Sequence, residues 1–189
     1  MIKAIIFDCF GVLTADSWHE FRLGLPQDQQ EEASDLNHQY CRGLLDRKSF
    51  IDQVAKLTSN TTKAIEDVID NDYDKNHQLL KYIAALKKNY KIGLLSNVAS
   101  NWIRDHFLTL EEQKLFETFV FSYQTGMTKP DPHIFELVAK RLGVELSEAI
   151  MVDDIQRYAE AAKATGMQAV CYQDFAQFKA ELDQILSQA

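Results

Sequence analysis

Asp8 ends the apolar run Ile5-Ile6-Phe7, and the chain then turns through Phe10-Gly11-Val12-Leu13. A carboxylate at the end of a buried strand can be a nucleophile, a metal ligand or both. It can also be a turn residue that accepts from nearby backbone N–H groups. Ser96 and Asn97 stand just past a second apolar run, KIGLL. Their hydroxyl and amide can hold an anionic group or cap a helix at 99–107. Lys129 lies in Thr128-Lys129-Pro130-Asp131-Pro132, where the prolines restrict the backbone around it. A cation there stabilises a carboxylate nucleophile and offsets the charge of a transferring phosphoryl group, although a lone lysine is more often solvated surface. Asp153 and Asp154 follow a further run, AIMV. Adjacent carboxylates repel unless a cation or protein donors lie between them, and the hard ion Mg²⁺ suits such oxygen ligands. In isolation the pair would serve equally at a helix N-terminus, favoured by the dipole.

The elements that must position these residues are legible in the pattern. Short apolar runs at 3–7, 91–95, 118–121, 149–152 and 168–171 read as buried parallel strands, each followed by a helical pattern. That alternation predicts an α/β fold, a Rossmann-like parallel sheet core with helices on both faces. Groups just past the carboxyl ends of neighbouring strands then face one crevice. Ile134, Phe135, Leu137, Val138 and Leu142 mark a helix over 133–142, with Asp131 as N-cap, Pro132 in the first turn and Gly143 as C-cap. Further helices are predicted at 76–88, 156–165 and 174–187. Residues 15–74 carry no strand-like run, and Phe50, Ile51, Val54 and Leu57, then Ile65, Val68 and Ile69, recur at helical spacing. We read them as an inserted all-helical cap, with 1–14 and 75–189 forming the α/β core. An insertion there would lie over the crevice and exclude water.

Lys and Arg number 20 against 28 Asp and Glu, a net charge of -8, which argues against nucleic acid as a partner. No apolar run reaches the length of a membrane span, and the first residues enter a strand without a signal-peptide pattern. The three cysteines, Cys9, Cys41 and Cys171, have no metal-binding spacing. A reduced, cytoplasmic chain is therefore expected, with Cys9 packing as a small hydrophobe.

Taken in order, the motifs resemble the haloacid dehalogenase-like (HAD) hydrolase superfamily, in its branch with a small helical cap after the first motif. FDCFGVL is similar to motif one, LLSN to motif two, TKPDPHIF to motif three and MVDDIQRYAEAAKATGM to motif four. The segment Gly43-Leu44-Leu45 through Ser49-Phe50 resembles the cap of that branch, and the resemblance spans essentially the whole chain. It implies that Asp8 attacks the substrate to give an aspartyl intermediate. Ser96, with Asn97 beside it, would bind the transferring phosphoryl group, and Lys129 would hold the charge of nucleophile and substrate. It also implies Mg²⁺ bound by Asp8, Asp154 and the backbone carbonyl of Phe10, with Asp153 a further direct or water-mediated ligand.

Position 10 departs from the family pattern. Phosphatases of the family usually carry Asp there, which protonates the leaving group and then activates water; Phe10 can do neither. Ile155 and Tyr158 stand where relatives often have small polar residues, and Val98 where many have a small one. The expected function is an Mg²⁺-dependent phosphatase of a small phosphorylated metabolite. Losing a general acid costs on the order of 10²–10⁴ in rate, which a good leaving group or a cap residue such as His19, His38 or Asp16 would offset. A second reading is a 2-haloacid dehalogenase, whose members have an aromatic residue at this position and need no metal. Arg22, Arg42 or Arg47 would then bind the substrate carboxylate, but Asp153 and Asp154 would repel it. A third is a binding or regulatory protein without turnover, suggested by Phe10 and opposed by the set Asp8, Lys129 and Asp154.

Overall fold

In the computed structural model, which describes residues 1–70 and 74–188, the apolar runs form five strands. They are β1 (Ala4–Phe7), β2 (Lys91–Ser96), β3 (Thr118–Phe121), β4 (Ala149–Asp153) and β5 (Gln168–Cys171). All pairings are parallel, in the order β3-β2-β1-β4-β5. Phe7 of the central β1 sits opposite Leu94 on one side and Val152 on the other. Successive strand residues alternate faces. Ile5, Phe7, Ile92, Leu94, Ile150 and Val152 enter one apolar cluster, while Ala4, Ile6, Leu95, Val120 and Met151 enter another. Both faces are covered, which is why these strands read as unbroken apolar runs.

The α-helices are α1 (Ser17–Leu23), α2 (Gln27–Cys41), α3 (Arg47–Thr58), α4 (Thr62–Ile69), α5 (His77–Leu86), α6 (Leu110–Gln113), α7 (Ser122–Thr125), α8 (Pro132–Leu142), α9 (Gln156–Ala164) and α10 (Phe175–Gln188). α5 and α10 cover the first face of the sheet through Leu79, Ile83, Phe178 and Leu182. α8 and α9 cover the second through Ile134, Phe135, Val138 and Ala159. α8 begins and ends as its sequence predicts: Asp131 accepts from the His133 N–H, and Gly143 closes it at a φ of 65°.

α1 to α4 lie between β1 and α5 in the chain and bury a cluster of their own: Leu36, Phe50, Ile51, Val54, Ala55 and Ile65. Trp18 and Tyr40 pack against it, Tyr40 stacking on Phe50 with centroids 4.5 Å apart. The expected range 15–74 includes residues 71–73, which lie outside the described residues. Among the described residues no helix is long and apolar enough to cross a membrane.

The helix expected at 99–107 takes another form. Ile103–Phe107 is a single π turn, in which the Leu108 N–H donates to the Ile103 carbonyl at 2.8 Å. A π turn brings residues five apart to one side, and Trp102 stacks on Phe107 with centroids 5.6 Å apart. Phe10 stacks in turn on Trp102. The residue at the start of this turn is Trp102, so neither Ser96 nor Asn97 caps it.

Ser122 ties the end of α2 to the segment that follows β2. Its buried hydroxyl accepts from the Val98 N–H at 2.9 Å and donates to the Cys41 carbonyl, at the end of α2, at 2.7 Å. Ser122→Ala leaves both groups without that partner, so denaturant titration is expected to show a loss of about 1–3 kcal/mol. A change within about 0.5 kcal/mol, as for ordinary surface substitutions, would show that the tie carries no stability.

Candidate active site

Adjacent strands β2, β1 and β4 end side by side, and each delivers a polar group at its carboxyl end. Asp8 follows β1, Ser96 is the last residue of β2, and Asp153 is the last of β4 with Asp154 next. Lys129 reaches them from the approach to α8 with none of its surface exposed. Its Nζ lies 2.7 Å from Asp8 Oδ2 and 2.5 Å from Asp153 Oδ2. The remaining oxygens of these carboxylates are also engaged. Asp8 Oδ1 accepts from the Cys9 N–H at 2.7 Å, and Asp153 Oδ1 from the Ile155 N–H at 3.0 Å. Asn97 clamps the lysine backbone: its amide donates to the Lys129 carbonyl at 3.1 Å, and its oxygen accepts from the Lys129 N–H at 2.9 Å. One amide N–H of Asn97 is left over.

Asp154 is placed differently. Its Oδ1 is buried and has no hydrogen-bond partner among the described residues. A Cβ on Gly11 would lie 2.1 Å from Asp154 Oδ2, and Gly11 has a φ of 77°, so both space and backbone require glycine there. Asp8, Asp153 and Asp154 each bring a carboxylate oxygen to within 4.8 Å of the others. A buried, unpartnered carboxylate oxygen is costly unless a proton or a cation meets it. An all-oxygen donor set of this kind fits Mg²⁺.

The charges confirm the imbalance, with three carboxyls set against one ammonium. Burial pushes Asp154 up to about 8, and repulsion from Asp8, Asp153 and Asp16 adds to it. Burial likewise pushes Asp8 up to about 7, with Lys129 pulling against the shift and Asp153 adding to it. For Lys129 burial opposes the charge, but Asp153 and Asp8 outweigh it and hold the ammonium above its ordinary range.

Asp8, Ser96, Asn97 and Lys129 line one cavity of about 180 Å³. Ser96 Oγ is buried there without a partner among the described residues. Aromatic side chains of Phe10, Trp18, Tyr40 and Trp102 form part of the wall, and Asp16, His19, Arg22, His38 and Arg157 another part. Asp16 caps α1, accepting from the His19 N–H at 2.8 Å, and burial raises its carboxyl. Of the arginines weighed as carboxylate binders, Arg22 lines the cavity, Arg47 lines it but is paired with Asp70 at 2.6 Å, and Arg42 donates to the Gly126 carbonyl. Cys9 is buried in the first apolar cluster, and burial pushes its thiol well up, so it packs as expected.

Sequence reasoning missed Arg157 and took Tyr158 only as a departure from the family. Tyr158 places its ring 5.2 Å from Lys129 Nζ and its hydroxyl 3.3 Å from His38 Nε2. The available signal was position, since both residues lie in the first turn of the helix that follows Asp154.

Residues 2–166 match the family described as haloacid dehalogenase-like hydrolase. The D-ribitol-5-phosphate phosphatase of Bacteroides thetaiotaomicron is 29% identical over 207 residues, covering 99% of this chain and 100% of that protein. Bifunctional epoxide hydrolase 2 of Sus scrofa is 25% identical over 97% of this chain, which spans only 39% of that longer protein. A HAD family enzyme of Bacteroides thetaiotaomicron, solved in complex with magnesium and inorganic phosphate, has a TM-score of 0.68 at 22% identity. The match covers 94% of this chain and 99% of that one, and is a likeness of fold.

The raised carboxyls make stability depend on pH. Folded Asp8 at about 7 and Asp154 at about 8 retain protons that unfolded carboxyls, with an ordinary value of 3.8, have released. Between those limits the folded state binds more protons, so their contribution to stability falls as pH rises. A bound cation would displace those protons and offset the loss. The rise in melting temperature on adding Mg²⁺ to EDTA-treated protein is therefore expected to be larger at about pH 8.5 than at about pH 5.5. An equal rise at both, or none, contradicts cation binding by these carboxyls.

Proposed function

Because the chain belongs to the haloacid dehalogenase-like hydrolases, we propose that it is an Mg²⁺-dependent phosphatase of a small phosphorylated metabolite. The observation that carries this reading is the buried Lys129, ion-paired to Asp8 beside the unpartnered Ser96 hydroxyl. Asp8 attacks phosphorus, the bond to the leaving oxygen breaks, and an aspartyl-phosphate forms. Water then attacks that phosphorus, releasing inorganic phosphate and restoring the carboxylate. Lys129 favours the ionised form of Asp8 and offsets charge on the phosphoryl oxygens. Ser96 donates to one of those oxygens, and Asn97 fixes Lys129 while offering its remaining N–H.

Asp8, Asp154 and the Phe10 carbonyl would hold Mg²⁺, with Asp153 an outer ligand. When bound, the ion supplies positive charge that offsets the phosphoryl dianion. α1 to α4 act as the cap over the cavity. The small cavity, about 180 Å³, and the net charge of -8 favour a small molecule over nucleic acid. The free cysteines favour the cytoplasm.

Phosphate release from p-nitrophenyl phosphate is expected with Mg²⁺ and is expected to vanish with EDTA or in Asp8→Asn. Metal-independent chloride release from 2-chloropropionate, with no phosphate release, would overturn the proposal in favour of dehalogenation. The role of position 10 is separable. Phe10 gives no proton to the leaving oxygen, so Phe10→Asp is expected to speed alkyl phosphates by about 10² while changing p-nitrophenyl phosphate, a good leaving group, far less. Equal effects on both substrates would show that protonation of the leaving group is not what Phe10 limits.

A further inference from the structure

Two guanidinium groups on the cavity wall have neutral partners. Arg22 of α1 lies 3.2 Å from His19 Nδ1. Arg157 of α9 lies 3.3 Å from His38 Nε2 and 3.0 Å from the Tyr158 hydroxyl. Both arginines and both histidines line the cavity that contains Asp8 and Lys129. Among the described residues neither arginine forms an ion pair, in contrast to Arg47, which has Asp70. Burial lowers both histidines, and repulsion from Arg22 and Arg157 reaches each of them, so the four groups share one electrostatic neighbourhood. Neutral rings supply acceptors but no negative charge. Asp16 lines the same cavity and its charge reaches Arg22, while its Oδ1 accepts from the His19 N–H and burial raises its carboxyl. Two guanidinium groups without an ion-pair partner among the described residues thus line the cavity of a chain whose net charge is -8.

We propose that Arg22, Arg157, His19 and His38 form a second anion subsite, which grips the end of the substrate remote from the scissile phosphoryl group. The proposal rests on the phosphatase reading for the place of the first anion. The remote group is a carboxylate or a second phosphate, because a guanidinium fork matches the oxygens of either. Arg22 comes from the inserted helices and Arg157 from the sheet domain, so a doubly anionic substrate spans the two.

Calorimetric titration of Asp8→Asn protein with Mg²⁺ tests this against 3-phosphoglycerate, glycerol 1,3-bisphosphate and glycerol 3-phosphate. These ligands share a three-carbon phosphate and differ at the remote end. At least one of the first two is expected to bind about tenfold or more tighter than the third. A preference for 3-phosphoglycerate assigns the subsite to a carboxylate, and a preference for the bisphosphate assigns it to a second phosphate. Adding Arg22→Gln and Arg157→Gln is expected to abolish the preference, with melting by circular dichroism confirming that the protein is folded. Should that variant not fold, Arg157→Gln alone, at an exposed position, is expected to weaken the preference. Equal binding of the three ligands overturns the subsite. A clear preference in a protein whose wild type releases phosphate from no substrate overturns the phosphatase reading and leaves the subsite standing.

Discussion

Lys129 is a charged side chain with no exposed surface, held 2.7 Å from Asp8 and 2.5 Å from Asp153. Burying an ammonium is tolerable only where paired charges and hydrogen bonds replace its water. That requirement fixes much else. The two carboxylates must come from adjacent strands, which places β1 beside β4 and both ends at one level. The lysine backbone must not drift, and Asn97 at the end of β2 holds it by two hydrogen bonds. Three neighbouring strands and the approach to α8 are thereby tied to a single residue.

The same arrangement is incomplete on its own. One ammonium balances neither the three carboxyls nor the unpartnered oxygen of Asp154. Gly11 keeps this defect open, because any side chain there would occupy the space of the Asp154 carboxylate. A cluster with an excess of carboxyls and an unpartnered buried oxygen costs stability, and such costs concentrate where a site is prepared for charge that arrives later. On the cavity wall Arg22 and Arg157 have imidazole and phenol partners rather than ion pairs among the described residues. A substrate that carries negative charge at both ends would complement the two.

Much of the fold was legible because it depends on local pattern. Runs buried on both faces cannot alternate, so β1 to β5 appeared as unbroken apolar stretches within about a residue of their observed ends. The caps of α8 were legible from Asp131, Pro132 and Gly143 because capping chemistry is local. Asp8, Ser96 and Asp153 were found by their place at strand ends. Their partners were harder to see, because they are set by long-range contact. Nothing periodic in the sequence shows that Asn97 would grip Lys129, thirty-two residues away. Arg157 of α9 and His38 of α2 meet although they are 119 residues apart. The π turn at Ile103–Phe107 was read as ordinary helix because its apolar spacing is compatible with either form until Trp102 and Phe107 stack.

Covalent chemistry at Asp8 is the central claim, and it can be observed without a known natural substrate. Protein incubated with acetyl phosphate and Mg²⁺ would be quenched rapidly, reduced with borohydride and mapped by mass spectrometry. Borohydride converts an aspartyl-phosphate to homoserine, so the account predicts homoserine at position 8 only in samples given both reagents. Phosphate release with an unmodified Asp8, or modification at any other carboxylate, would contradict it.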